Sequence, residues 1–163
     1  MPSQAARATS ATCTSTFAAA RATRSPHCCS TARSLPAARS ILPLAFLACD
    51  TGFAPIKSLI EHAMAVDAAE SLALGWLATR PDGHYLANQC RAWAEAFDQF
   101  RYVAQTADEP SAGGAQLVGE LAAALPLAAC DVYVAGPAAF VAAAEAALQT
   151  AGVPSGQIHA AVA

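Results

Sequence analysis

Three short stretches hold the residue types that an anion-binding site needs. Thr51-Gly52-Phe53-Ala54-Pro55 follows an apolar run, Leu44–Ala48, and the turn Cys49-Asp50-Thr51-Gly52. Arg80 heads Arg80-Pro81-Asp82-Gly83, a strong turn signal that closes a second apolar run. Gly136-Pro137 closes a third, Asp131–Ala135. A strand end, a tight glycine turn and a helix start bring free backbone N–H groups and the positive end of a helix dipole together, which makes a place for an anion. Arg80 lies just past another strand end and is a further candidate contact. One glycine after a strand is a weak signal and by itself marks only a βα unit. Three such contacts on one edge of a sheet say more.

The elements that must position these residues alternate along the chain. Leu44–Ala48 is continuously apolar, as in a strand covered on both faces. Pro55 suits a helix start, and Ile56, Leu59, Ile60, Ala63 and Met64 then recur on one helical face. Ser71–Thr79 reads as a second strand, and Tyr85–Phe97 as a helix with Leu86, Cys90, Trp93 and Phe97 inward. Phe100–Gln105 is a third strand, followed by a polar loop over Thr106–Gly114 and a helix carrying Leu117, Val118, Leu121 and Leu125. Asp131–Ala135 is a fourth strand. A helix with Phe140, Val141, Ala144 and Leu148 follows and stops at Gly152, with Pro154 beyond; Ile158–Val162 is a fifth strand. This alternation predicts an α/β fold, a doubly wound, mostly parallel five-stranded sheet of Rossmann-like type, with ligands at the carboxyl ends of its strands.

Composition narrows the class. The chain has 163 residues, 55% hydrophobic and 13% charged, rich in alanine, which argues for small-residue helices packed closely on a sheet. No apolar run reaches the roughly 18 residues that would span a bilayer, so no membrane partner is expected. Residues 1–49 hold five arginines and no Asp or Glu, a sum of +5; residues 50–163 hold four basic and twelve acidic groups, a sum of −8. So acidic a globular part has no general attraction for nucleic acid. The six cysteines show no CxxC spacing and no zinc or iron–sulfur pattern, which fits a reduced, cytoplasmic chain better than a disulfide scaffold.

Residues 1–40 are dominated by Ala, Ser, Thr and Arg, without lasting periodicity. They read as a disordered or irregular arm, an organelle transit peptide, or the product of a misjudged start or reading frame. On any of the three readings the ordered domain, residues 41–163, begins near Ile41.

Two stretches together resemble the nicotinamide-dinucleotide-binding domain of the ferredoxin–NADP reductase superfamily. Thr51-Gly52-Phe53-Ala54-Pro55-Ile56-Lys57-Ser58 resembles that family's Gly-Thr-Gly-x-Ala-Pro-x-x-Ser turn, and Asp131–Pro137 resembles its late strand ending in Cys-Gly-Pro. Within the superfamily the chain looks most like reductase components of oxygenases and CDP-6-deoxyhexose-type reductases. The resemblance implies NADH or NADPH as cofactor, with FAD in a companion flavin domain or partner electron-transfer protein, and electrons passing from NAD(P)H through flavin to an iron–sulfur or other acceptor. It implies that Thr51, Gly52, Phe53, Ala54 and Pro55 hold the pyrophosphate and nicotinamide side. Arg80 would meet the adenosine half, and Ala135, Gly136 and Pro137 would let the dinucleotide approach closely, with Phe140 behind them. No catalytic side chain and no metal ligand is implied.

Three departures stand against this. Asp50 occupies a position where the family has Gly, and a carboxylate beside a pyrophosphate is repulsive unless it turns aside. Ala135 occupies the position of a Cys, so no thiol role carries over. The family's flavin-binding Arg-x-Tyr-Ser/Thr motif does not occur, the first tyrosine being Tyr85. The alternative is therefore a truncated, non-catalytic remnant or an interaction module on the same scaffold. Elsewhere the plain readings are preferred: Lys57 as a solvated lysine, His62 and His159 as structural, Cys49 as a small buried strand-end residue, Trp76 and Trp93 as packing, and Asp108-Glu109 as a solvated turn.

Overall fold

A computed structural model describes residues 42–163; the expectations placed on residues 1–40 lie outside the described residues. The elements run β1 (Leu44–Cys49), a 3-10 turn (Asp50–Gly52), α1 (Phe53–Ala65), β2 (Leu72–Ala78), α2 (Ala87–Ala96), β3 (Phe100–Thr106), α3 (Pro110–Ala124), β4 (Asp131–Gly136), α4 (Ala138–Thr150) and β5 (Ile158–Val162). The sheet order is β3-β2-β1-β4-β5, and every pairing is parallel. The expected α/β architecture is present, with a sheet that is wholly rather than mostly parallel.

All six residues of β1 are buried, because the strand lies at the centre of the sheet with helices on both faces. Its alternate side chains feed two cores. Leu44, Phe46 and Ala48 pack with Phe53, Ile56, Ile60 and Trp76 from α1 and β2. Ala45, Leu47 and Cys49 pack with Leu117, Leu121, Phe140 and Leu148 from α3 and α4. The alanine- and glycine-rich helices lie close: a Cβ on Gly114 would stand 3.0 Å from the Phe140 ring. α1 and α4 end alike. Asp67 (φ 51°) and Gly152 (φ 88°) take the left-handed conformation, and Ala68 N–H to Ala63 O and Val153 N–H to Leu148 O close both ends, satisfying carbonyls the helix leaves unpaired.

The largest differences from the sequence reading fall at α3 and α2, the strand ends shifting by a residue. The loop expected over Thr106–Gly114 is helical from Pro110, where a proline at the first helical position loses no hydrogen bond. α2 begins at Ala87 rather than Tyr85 and ends before Phe97, which is extended at φ −124°. His84 and Tyr85 instead form a turn against Trp76.

Candidate functional site

β1 and β4 are adjacent, and their chain connections leave in opposite directions, to β2 on one side and β5 on the other. Such a reversal opens a crevice at the carboxyl edge of a parallel sheet. The floor of this crevice is tight. A Cβ on Gly52 would lie 2.3 Å from the Ala135 carbonyl oxygen, and one on Gly136 would lie 2.8 Å from Cys49 Cβ. The turn after β1 therefore rests directly on the end of β4, and only glycine fits at either contact. α1 and α4 both start at this edge, and neither N-terminus is capped by a side chain. The positive ends of their dipoles face this edge, although the Phe53 N–H at the start of α1 is already bonded to the Asp50 and Thr51 carbonyls.

The residues singled out in the sequence do gather here, in two layers. Thr51, Ala54, Pro55 and Arg80 are exposed at the rim, and Pro137 is half-buried. Gly52, Phe53, Ala135, Gly136 and Phe140 are buried. Phe53 stacks on Trp76 with ring centroids 3.9 Å apart and planes inclined by 14°, so its side chain supports the turn from beneath. Phe140 lies under Gly136 in the opposite core.

Beside the turn a cleft of about 210 Å³ is lined by Asp50, Thr51, Arg80, Asp82, Gly83 and Tyr85. The sequence reading passed over Asp82, Gly83 and Tyr85 as parts of a turn and a helix. Their only signal was the Arg-Pro-Asp-Gly punctuation after β2. Tyr85 is more than half exposed and stands edge-on to both Phe53 and Trp76, presenting its own ring at the cleft. His84 is held by a 3.0 Å hydrogen bond between Nε2 and the Trp76 carbonyl.

Asp50 resolves the repulsion that its position suggested. At φ 49° it adopts the left-handed conformation, and its carboxylate is held at the end of β2. Oδ1 accepts the Thr79 N–H at 2.8 Å and Oδ2 accepts the Thr79 hydroxyl at 2.7 Å. The Cys49 thiol is buried, and burial, helped by the charge of Asp50, pushes its pKa up to about 12, so it stays protonated at neutral pH and is no nucleophile. Lys57 pairs with Glu61 on the surface of α1 rather than reaching the crevice. His159 stacks on Tyr133 at 4.8 Å. Among the described residues no His, Cys, Asp and Glu cluster could hold a metal ion, and no helix is long and apolar enough to cross a membrane.

A parallel sheet with this crevice, two uncapped helix starts and a strand-end arginine defines a dinucleotide-binding class of α/β domain. The chain belongs to the oxidoreductase NAD-binding domain family, whose model matches residues 46–146. The resemblance read from the two turns thus holds. Curated relatives include terephthalate 1,2-dioxygenase reductase components 1 and 2 of Comamonas sp., each 38% identical over 66 residues, covering 40% of this chain. The chain spans only 20% of the length of those relatives. Among solved structures, ferredoxin–NADP+ reductase of Plasmodium falciparum is 14% identical with a TM-score of 0.60, over 75% of this chain and 52% of that one. The Amycolatopsis cytochrome P450 reductase GcoB is 18% identical with a TM-score of 0.61, over 72% and 36%. These likenesses establish the fold of the ferredoxin–NADP reductase family.

Proposed function

We propose that this chain binds NADH or NADPH along the carboxyl edge of β1, β2 and β4, as the nicotinamide half of a flavin-dependent oxidoreductase. The observation that carries the reading is the seating of Gly52 against Ala135, which brings the N-terminus of α1 to the end of β4 beside the Arg80 cleft. The turn Thr51–Pro55 holds the pyrophosphate, with the backbone N–H groups of Thr51, Gly52 and Ala54 as donors; Pro55 has none, and the Phe53 N–H is bonded to the Asp50 and Thr51 carbonyls. Arg80 and the exposed Tyr85 ring meet the adenosine half, and the Ala135-Gly136-Pro137 backbone bounds the nicotinamide, with Phe53 and Phe140 fixing the two turns from below. The dinucleotide supplies the hydride; the protein binds, orients and shields it. A flavin in a companion domain or partner electron-transfer protein would take up the hydride as a two-electron acceptor and pass the electrons to an iron–sulfur or other acceptor, as befits a relative of oxygenase reductase components. Residues 41–163 form the NAD(P)-binding domain, and the cytoplasm is its compartment.

Calorimetric titration with NADH, NADPH and ADP-ribose tests this. Saturable binding of at least one of the three at micromolar to millimolar concentration is expected. Absence of any heat or competition up to millimolar ligand would favour the alternative, an interaction module or remnant on the same scaffold.

A further inference from the structure

We infer that the cleft beside Arg80 selects the dinucleotide lacking a 2′-phosphate, and that Asp50 is the residue that makes the selection. The inference rests on the dinucleotide reading above. In dinucleotide-binding sheets a carboxylate at the end of the second strand accepts hydrogen bonds from the ribose hydroxyls, whereas an arginine there accommodates a 2′-phosphate. Here β2 runs out through Thr79 into Arg80, with the exposed Asp82 two residues further along the turn. Asp50 crosses from the end of β1 to supply a carboxylate fixed at the strand end by its two bonds to Thr79.

Several observations say which of the two groups prevails. The Asp50 carboxylate is held in place, while Arg80 is exposed and its guanidinium makes no hydrogen bond or ion pair among the described residues, its one bond being the Gly83 N–H accepted by its carbonyl. Asp50 Oδ1 accepts only the Thr79 N–H among the described residues and, as a carboxylate oxygen, keeps room for a second donor. Asp50 lines the open cleft together with Gly83, whose lack of a side chain lets the turn after β2 fold closely past the carboxylate: a Cβ there would stand 2.8 Å from Ala78 Cβ and 3.5 Å from Oδ1. A ribose hydroxyl can donate into that opening; a phosphate oxygen can only repel. Asp82 places a second carboxylate on the same lining, so one guanidinium faces two negative groups. A phosphate would add a charge of about −1.5 to −2 to a wall already net negative. Discrimination here comes from an unfavourable encounter with the wrong ligand as much as from attraction to the right one.

The test is calorimetry on the full chain with NADH, NADPH, ADP-ribose and 2′-phospho-ADP-ribose, using the wild type, Asp50→Asn and Asp82→Asn. Asparagine at 50 keeps an acceptor for Thr79 and removes the charge. The wild type is expected to prefer each unphosphorylated ligand by about tenfold or more, the scale of one unfavourable charge contact. Asp50→Asn is expected to raise the affinity for both 2′-phosphorylated ligands several-fold relative to their partners, and the exposed Asp82→Asn to do so more weakly. Equal or tighter binding of NADPH by the wild type overturns the selection while leaving the dinucleotide reading intact. A uniform loss for all four ligands in Asp50→Asn makes the residue structural and overturns its assigned role. No binding of any ligand to the wild type overturns both readings.

Discussion

Gly52→Ala is expected to cost about 3 kcal/mol of stability, at the upper end of the range for overpacking a closed site, and to abolish dinucleotide binding. The added Cβ would lie 2.3 Å from the Ala135 oxygen, 2.6 Å from its carbonyl carbon and 2.7 Å from Gly136 Cα. All three are backbone atoms at the end of β4, so no side-chain rotation relieves the clash. The turn must lift from β4, straining the pairing of Ala48 with Ala135 and moving the start of α1 away from the crevice. A fall of roughly 10 °C in melting temperature follows from that cost, read by circular dichroism. Gly119→Ala is the matched control. Nothing lies within 4 Å of its Cβ, and it sits inside α3, so alanine there is expected to add roughly 0.5–1 kcal/mol. Melting of Gly52→Ala within about 2 °C of wild type would mean that the close contact does not exist.

Phe53→Ala is expected to be the most destabilising single truncation at the site, by about 3–5 kcal/mol. The ring is fully buried, stacks on Trp76 at 3.9 Å and receives the edge of Tyr85 at 6.1 Å. Its removal leaves a ring-sized void beneath the first residue of α1, and it forfeits aromatic contacts worth about 0.5–1.5 kcal/mol beyond simple burial. Urea unfolding should show a lower midpoint with an unchanged slope. Phe53→Leu, which keeps most of the volume, should cost under about 1.5 kcal/mol. A Phe53→Ala protein as stable as wild type would contradict the buried stack.

How much of this was legible in the sequence follows from how local each feature is. The continuous apolarity of Leu44–Ala48 announced a strand buried on both faces, and the 3.6-residue recurrence of Ile56, Ile60 and Ala63 announced α1. Both are properties of adjacent residues. The gathering of Thr51, Gly52, Arg80 and Gly136 at one edge followed from parallel topology alone. The failures are tertiary. That the Phe53 ring lies in the core beneath the turn was not legible, because its partner Trp76 lies on β2, 23 residues away. The role of Asp50 depends on Thr79, 29 residues away, and on a positive φ that no local pattern marks. Pro110 looked like a loop residue because a proline that starts a helix and one that breaks it read alike until the following turn is seen packed.

The central claim is that the carboxyl edge of β1, β2 and β4 is a nicotinamide-dinucleotide site. Hydrogen exchange with and without saturating NADH tests it most directly, because it reports the place of binding as well as its occurrence. Slower exchange confined to segments spanning 49–56, 79–86 and 135–141 is the expected result. Protection confined to the amino edge of the sheet, around 67–72 and 96–100, or no change at any segment, would contradict the account.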